Sequence, residues 1–182
     1  MTDDRSLPRG IATLDPTAPM EVHFDGACQP PGSNGVAGWG FTVDGQGYHY
    51  EDCGLATRPF SPHSTNNVAE YVGAIRALEH LRAIGFAGEV VVEGDSELVI
   101  RQMNGEYEVR AEHLRAYFDW LRKLSESFRK VEFRWIPREE NAVADALSKR
   151  AIEEAWDDAG RHRSTGPGRS SQPDDRAEPG GP

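Results

Sequence analysis

The order of apolar patterns along the chain predicts an α/β fold, a five-stranded mixed sheet flanked by helices. Two observations carry this. Three runs with strand-like alternation come first, separated by turn-forming segments, as hairpin-linked strands are. Segments with helical spacing then alternate with two further apolar runs, the pattern of strands joined by crossover helices.

Residues 1–19 hold three prolines (Pro8, Pro16 and Pro19) and no periodicity, so they are expected to form a flexible arm. The first strand spans 20–27 and runs into the turn Gln29-Pro30-Pro31-Gly32-Ser33-Asn34-Gly35. Strands at 36–43 and 48–56 flank Asp44-Gly45-Gln46-Gly47, a hairpin signal. Pro59 and Pro62 mark the following loop. A helix over 66–84 places Val68, Tyr71, Ile75, Leu78 and Leu81 on one face, with Gly85 and Gly88 ending it. The valine-rich run at 89–93 predicts a strand buried on both sides. A short helix over 96–103 closes at Asn104-Gly105, and a third helix covers 110–128. A fifth strand at 131–136 stops at Pro137, and a last helix covers 141–156. From Asp157 onward the composition turns rich in Gly, Pro, Ser and Arg with no apolar face, which predicts a disordered tail over 157–182. The domain proper is thus 20–156. The spacing of Trp39, Trp120, Trp135 and Trp156 reads as core packing.

A chain of 182 residues with 37% hydrophobic content supports one domain around one core. No apolar run approaches the roughly 20 residues that span a bilayer, so no membrane association is expected. The polar, acidic start does not read as a secretory signal, which makes the cytoplasm the expected location. Cys28 and Cys53 are read as reduced thiols. The net charge of −10 argues against a broad basic surface for nucleic acid but leaves room for nucleic acid held through cations. No feature calls for an obligate protein partner, and a monomer is expected.

Four acids stand out by position: Asp25 at the end of the first strand, Glu70 in the opening of the first long helix, Asp95 after the valine run, and Asp145 in the first turns of the last helix. Each has an ordinary alternative. Asp25 suits a turn before Gly26, Glu70 a capping box with Asn67, Asp95 an N-cap, and Asp145 a pair with Lys149 one turn on. Taken together they point elsewhere. Loops after strand C-termini form the sites of such sheets, and acids gathered there repel one another unless cations lie between them. All-oxygen ligands suit magnesium or manganese.

Asp25-Gly26, Thr65-Asn66-Asn67 ahead of Glu70, Gly94-Asp95-Ser96, and Asn141 four residues before Asp145 together resemble the ribonuclease H family, type 1, over roughly residues 20–155. The resemblance implies the ribonuclease H-like fold and an endonuclease cutting the RNA strand of RNA–DNA hybrids with two Mg2+ or Mn2+ ions, leaving 5′-phosphate and 3′-hydroxyl ends. It implies that Asp25 bridges both ions, that Asp145 completes the water-activating position, and that Glu70 and Asp95 complete the other. It also implies Gly26, Ala27, Asn66 and Asn67 as substrate contacts. The chain departs from the family pattern in several places. The loop before the last helix holds Arg138, Glu139 and Glu140 where many members have a histidine, and no lysine-rich handle follows Gly105. Pro30-Pro31 stands where a substrate-contacting asparagine is often found, and Glu97 where a neutral amide is common. A non-catalytic binding module, or another nuclease of this fold, stays open as the alternative.

Overall fold

The computed structural model describes residues 14–32 and 34–164, with side chains described up to Asp158. Five strands form one sheet: β1 (Met20–Gln29), β2 (Val36–Gly45), β3 (Tyr48–Leu55), β4 (Glu89–Gly94) and β5 (Lys130–Trp135). Their order is β3-β2-β1-β4-β5. The first three are antiparallel neighbours, while β4 runs parallel to both β1 and β5. The helices are α1 (Asn66–Ala83), α2 (Glu97–Met103), α3 (Glu112–Ser125) and α4 (Ala142–Ser164). The predicted five-stranded mixed sheet with flanking helices is the fold observed.

The β2–β3 hairpin turns on Gln46 and Gly47, both at positive φ, which matches the right-handed twist of the strands it joins. Successive strand residues face opposite sides of a sheet, and the centre of β1 shows what covers each. Gly26 faces α1, where a Cβ on it would lie 2.7 Å from the Cα of Glu70. Asp25 faces α4, as does its β2 partner Gly40, where a Cβ would lie 2.6 Å from the Ser148 backbone nitrogen. The two helices therefore clasp the sheet from opposite faces at the same place.

α1 is buried on nearly every side. The expected face, Val68 to Leu81, is inside, and Ala69, Val72, Gly73, Ala74 and Ala77 are buried as well. Small residues let the helix fit between the sheet and α3, which supplies Leu114, Leu121 and Leu124. Within this layer the Tyr71 hydroxyl donates to Gln102 Oε1 at 2.6 Å, and Gln102 Nε2 donates to the Glu108 carbonyl at 3.2 Å. Tyr71→Phe strands the buried Gln102 oxygen. Stability is expected to fall by about 1–2 kcal/mol, read as a lower denaturation midpoint at unchanged m-value.

Several expectations are corrected. Residues 14–19 are not a free arm: Gln46 accepts from the Asp15 amide at 2.7 Å and donates to the Asp15 and Ala18 carbonyls, and Leu14 packs on the core. Residues 1–13 lie outside the described residues. α4 continues eight residues beyond the expected end, because its last turns are polar and carry no apolar signal to read; residues 165–182, the rest of the expected tail, lie outside the described residues. β4 is not buried on both sides. Val90 and Val92 are inside, while Val91 is only half-buried, because α4 lies across β1, β2 and β3. Of the tryptophans only Trp39 is core. Trp120 and Trp135 are half exposed, on the outer face of α3 and at the end of edge strand β5, and Trp156 is exposed, resting edge-on against Phe60. Cys28 and Cys53 are both free thiols. Among the described residues no helix is long and apolar enough to cross a membrane.

Candidate active site

The register of the parallel strands sets the site. His23 on β1 lies opposite Glu93 on β4, so Asp25 and Asp95, each two residues further on, reach the same level at the C-terminal end of the sheet. α1 begins beside them. Thr65, not Asn67, is its N-cap, its hydroxyl accepting from the Val68 amide at 3.2 Å, and Glu70 sits in the next turn. α4 begins there too, after a short 3-10 turn (Arg138–Glu140), and brings Asp145. All four predicted acids thus stand at one end of the sheet, and Asp25 feels the charges of both Asp95 and Asp145, as Glu70 feels those of Asp25 and Asp95.

Each acid is held by a protein donor. Ser148 Oγ donates to Asp25 Oδ2 at 2.5 Å. Glu70 accepts from Asn66 Nδ2 at 2.7 Å and from the Ser96 hydroxyl. Asn141 Nδ2 bridges the Phe24 carbonyl at 2.9 Å and Asp95 Oδ1 at 3.0 Å, while Trp135 Nε1 donates to the Asp95 carbonyl. Asp145 binds Arg138 through one oxygen and Lys149 through the other. The ordinary alternatives therefore resolve individually. Ser96 rather than Asp95 caps α2, and Glu70 belongs to no capping box, but Asp145 does pair with Lys149.

Ser96 and Ser148, both buried, hold two of the acids; sequence reasoning quoted Ser96 only as a motif neighbour of Asp95 and did not single out Ser148. Ser148 lies three residues after Asp145 and so on the same helical face, and Ser96 directly follows Asp95; those spacings were the available signals. Of the predicted substrate contacts, Gly26 is buried under α1, Ala27 and Asn67 are half-buried, and Asn66 is exposed but turned onto Glu70.

Burial, with the neighbouring acids adding to it, pushes the Asp25 carboxyl up to about 6 against the pull of Ser148. Burial and the charges of Asp25 and Asp95 push Glu70 up to about 8, despite the hydrogen bonds from Ser96 and Asn66. Asp145 is opposite. Burial works to raise it, but Lys149 and Arg138 outweigh that and hold it below the usual carboxylate range. Among the described residues no three acidic, histidine or cysteine side chains close around one point as a finished metal cage. The donor set nonetheless fits a hard divalent cation. It is all oxygen, burial and the neighbouring acids raise the pKa of Asp25 and Glu70, a cost that a bound cation would offset, and the Arg138 guanidinium already stands in the field of Asp145, Asp95 and Asp25.

These shifts have a measurable sign. A carboxyl whose folded pKa exceeds its unfolded value binds more protons when folded, so its stability contribution is full at low pH and lost as pH climbs through the folded value. Asp25 and Glu70 place that loss in the window up to about 6 and about 8. In EDTA the melting temperature is expected to fall between about pH 5 and about pH 8.5, and Asp25→Asn with Glu70→Gln should flatten the fall. An equal slope in wild type and double variant would show that other groups govern it.

Comparison with known proteins bears on the fold and the family. Residues 23–151 match the family described as "Reverse transcriptase-like". The chain is 32% identical over 146 residues to ribonuclease HI of Halobacterium salinarum, covering 79% of this chain and 70% of that protein. It is 38% identical over 92 residues to the "Bifunctional protein Rv2228c" of Mycobacterium tuberculosis, covering 50% of this chain and 25% of that protein. The chain therefore spans only about a quarter of the length of the mycobacterial relatives it matches. Among solved structures it resembles LC11-RNase H1 in complex with an RNA/DNA hybrid, with a TM-score of 0.66 and 34% identity over 75% of this chain and 99% of that one. The fold and the family match define a ribonuclease H-like domain. The chain belongs to the ribonuclease H family, type 1.

Proposed function

We propose that this chain hydrolyses the RNA strand of RNA–DNA hybrids with the help of two divalent cations, Mg2+ or Mn2+, leaving 5′-phosphate and 3′-hydroxyl ends. The observation that carries the reading is the meeting of Asp25, Glu70, Asp95 and Asp145 at one end of the sheet, two of them with pKa values raised by burial and one another. These four would hold the cations. Bound there, the cations would supply the acidity that turns water into a nucleophile and the positive charge that steadies the leaving 3′ oxygen.

The chain's own residues do the positioning. Ser148 and Ser96 fix one oxygen each of Asp25 and Glu70, and Asn141 fixes Asp95, so each carboxylate keeps a defined direction. Gly26 brings the β1 backbone against α1, leaving Ala27, Asn66 and Asn67 along the rim where a nucleic-acid backbone would pass. A ribose 2′-hydroxyl is what separates RNA from DNA at such a rim. The solved relative bound to an RNA/DNA hybrid supports this substrate class.

The test is a hybrid labelled on each strand in turn, incubated with Mg2+, with Mn2+ or with EDTA. The expected result is cation-dependent loss of the RNA strand alone, with fragments that a polymerase extends directly from their 3′ ends. Hybrid binding without cleavage in either metal would instead make the chain a binding module. Cleavage of both strands, or of DNA junctions, would make it a different nuclease of this fold.

A further inference from the structure

We propose that Arg138 and Lys149 form a cationic latch on Asp145 that competes with divalent cations and sets the concentration at which the site fills. The inference rests on the reading of the four acids as a cation site and deepens it.

The acids are not held alike. Asp25, Glu70 and Asp95 are held by neutral donors, namely two serine hydroxyls and two asparagine amides. Neutral donors bring no positive charge of their own, so a cation entering beside these three acids displaces no other cation. Asp145 alone is held by full positive charges, and on both oxygens: Arg138 Nη2 on Oδ1, and Lys149 Nζ on Oδ2 at 2.5 Å. The two approach from different elements, Arg138 from the 3-10 turn and Lys149 from one turn further along α4. A cation using Asp145 must either displace one of them or enter against the charge of both.

The latch is built to open. The Asp145 side chain is only 16% exposed, so its attraction is weakly screened, whereas Arg138 is 65% and Lys149 44% exposed and both can swing into solvent. Among the described residues neither side chain makes another hydrogen bond or ion pair. Arg138 also lies within the field of Asp95 and Asp25, so its departure lowers the positive potential over most of the cluster. Arg138 and Lys149 are thus positioning residues that act on cations through Asp145.

The test is calorimetric titration of the full 182-residue chain with Mn2+, and separately Mg2+, without nucleic acid. Removing one charge at this partly buried carboxylate in Arg138→Met or Lys149→Met should tighten cation binding by about five- to tenfold. Lys149→Arg keeps the charge and should bind like wild type. In an Asp145→Asn background Lys149→Met should lose its effect, as a double-mutant cycle requires of residues acting through one another. Melting curves in EDTA confirm that each variant is folded before titration. Wild-type binding with unchanged or weaker affinity in both methionine variants overturns the latch and leaves the cation site standing. No cation binding by wild type or by any variant overturns the cation site itself, and the latch with it.

Discussion

Asp25→Asn and Asp145→Asn are each expected to lower hybrid cleavage by about a thousandfold or more, equivalent to about 4 kcal/mol of transition-state stabilisation. Both remove a charged oxygen that the proposed chemistry needs, yet their effects on stability should differ in sign. Asp25 is buried, its pKa stands near 6, and its charge opposes those of Asp95 and Asp145. The neutral amide relieves that repulsion, so the metal-free Asp25→Asn protein should melt no lower than wild type at neutral pH. Asp145 is stabilised in its charged form by Lys149 and Arg138, and its amide loses both ion pairs. Asp145→Asn should therefore melt slightly lower, by about 0.5–1 kcal/mol for pairs that are partly exposed. Cleavage assays and EDTA melts on the same preparations separate the two effects. Near-normal cleavage by either variant would refute its assignment.

Gly26→Ala is expected to be the most damaging single methyl group in the molecule's centre. The new Cβ would lie 2.7 Å from the Glu70 Cα and press still harder on the Glu70 nitrogen and Ala69 carbonyl carbon. These are backbone atoms and cannot rotate away. β1 is the middle strand, paired on both sides, and α1 is buried on nearly all sides, so neither element has room to retreat. A cost of about 3 kcal/mol corresponds to a melting temperature lower by about 6–12 °C for a domain of this size. Because the strain falls on Glu70, cleavage should drop even at temperatures where the variant is fully folded. A melting temperature within about 2 °C of wild type would mean that α1 stands further from β1 than the structure shows.

The strands, the hairpin and the order of elements were legible because apolar alternation, the Gly45-Gln46-Gly47 turn and the helix-period runs are local signals. The four acids were legible because each lies at an element end that sequence patterns mark well. What escaped the sequence was relational. Trp120 and Trp135 sit at spacings compatible with a core but face outward, since periodicity gives a face and not what covers it. The half-covered β4 has the same origin: a valine run does not say how far α4 reaches across the sheet. The hold of Ser96 on Glu70 and of Ser148 on Asp25 escaped because a serine near an acid in sequence is common, and only the folded chain brings the Ser148 hydroxyl to an acid 123 positions away.

The Asn141 amide carries a consequence for how activity comes into being. It ties the start of α4 to a β1 carbonyl 117 residues earlier and to the Asp95 side chain 46 residues earlier. Two of the hydrogen bonds that assemble the site thus join residues 117 and 123 positions apart, and contacts of such long range are slow to form. Until α4 seats, Asp145 is absent and both Asp25 and Asp95 lack their fixing donors. A chain with that helix undocked has no assembled carboxylate cluster, so the proposed cleavage would be reserved for molecules that have finished folding.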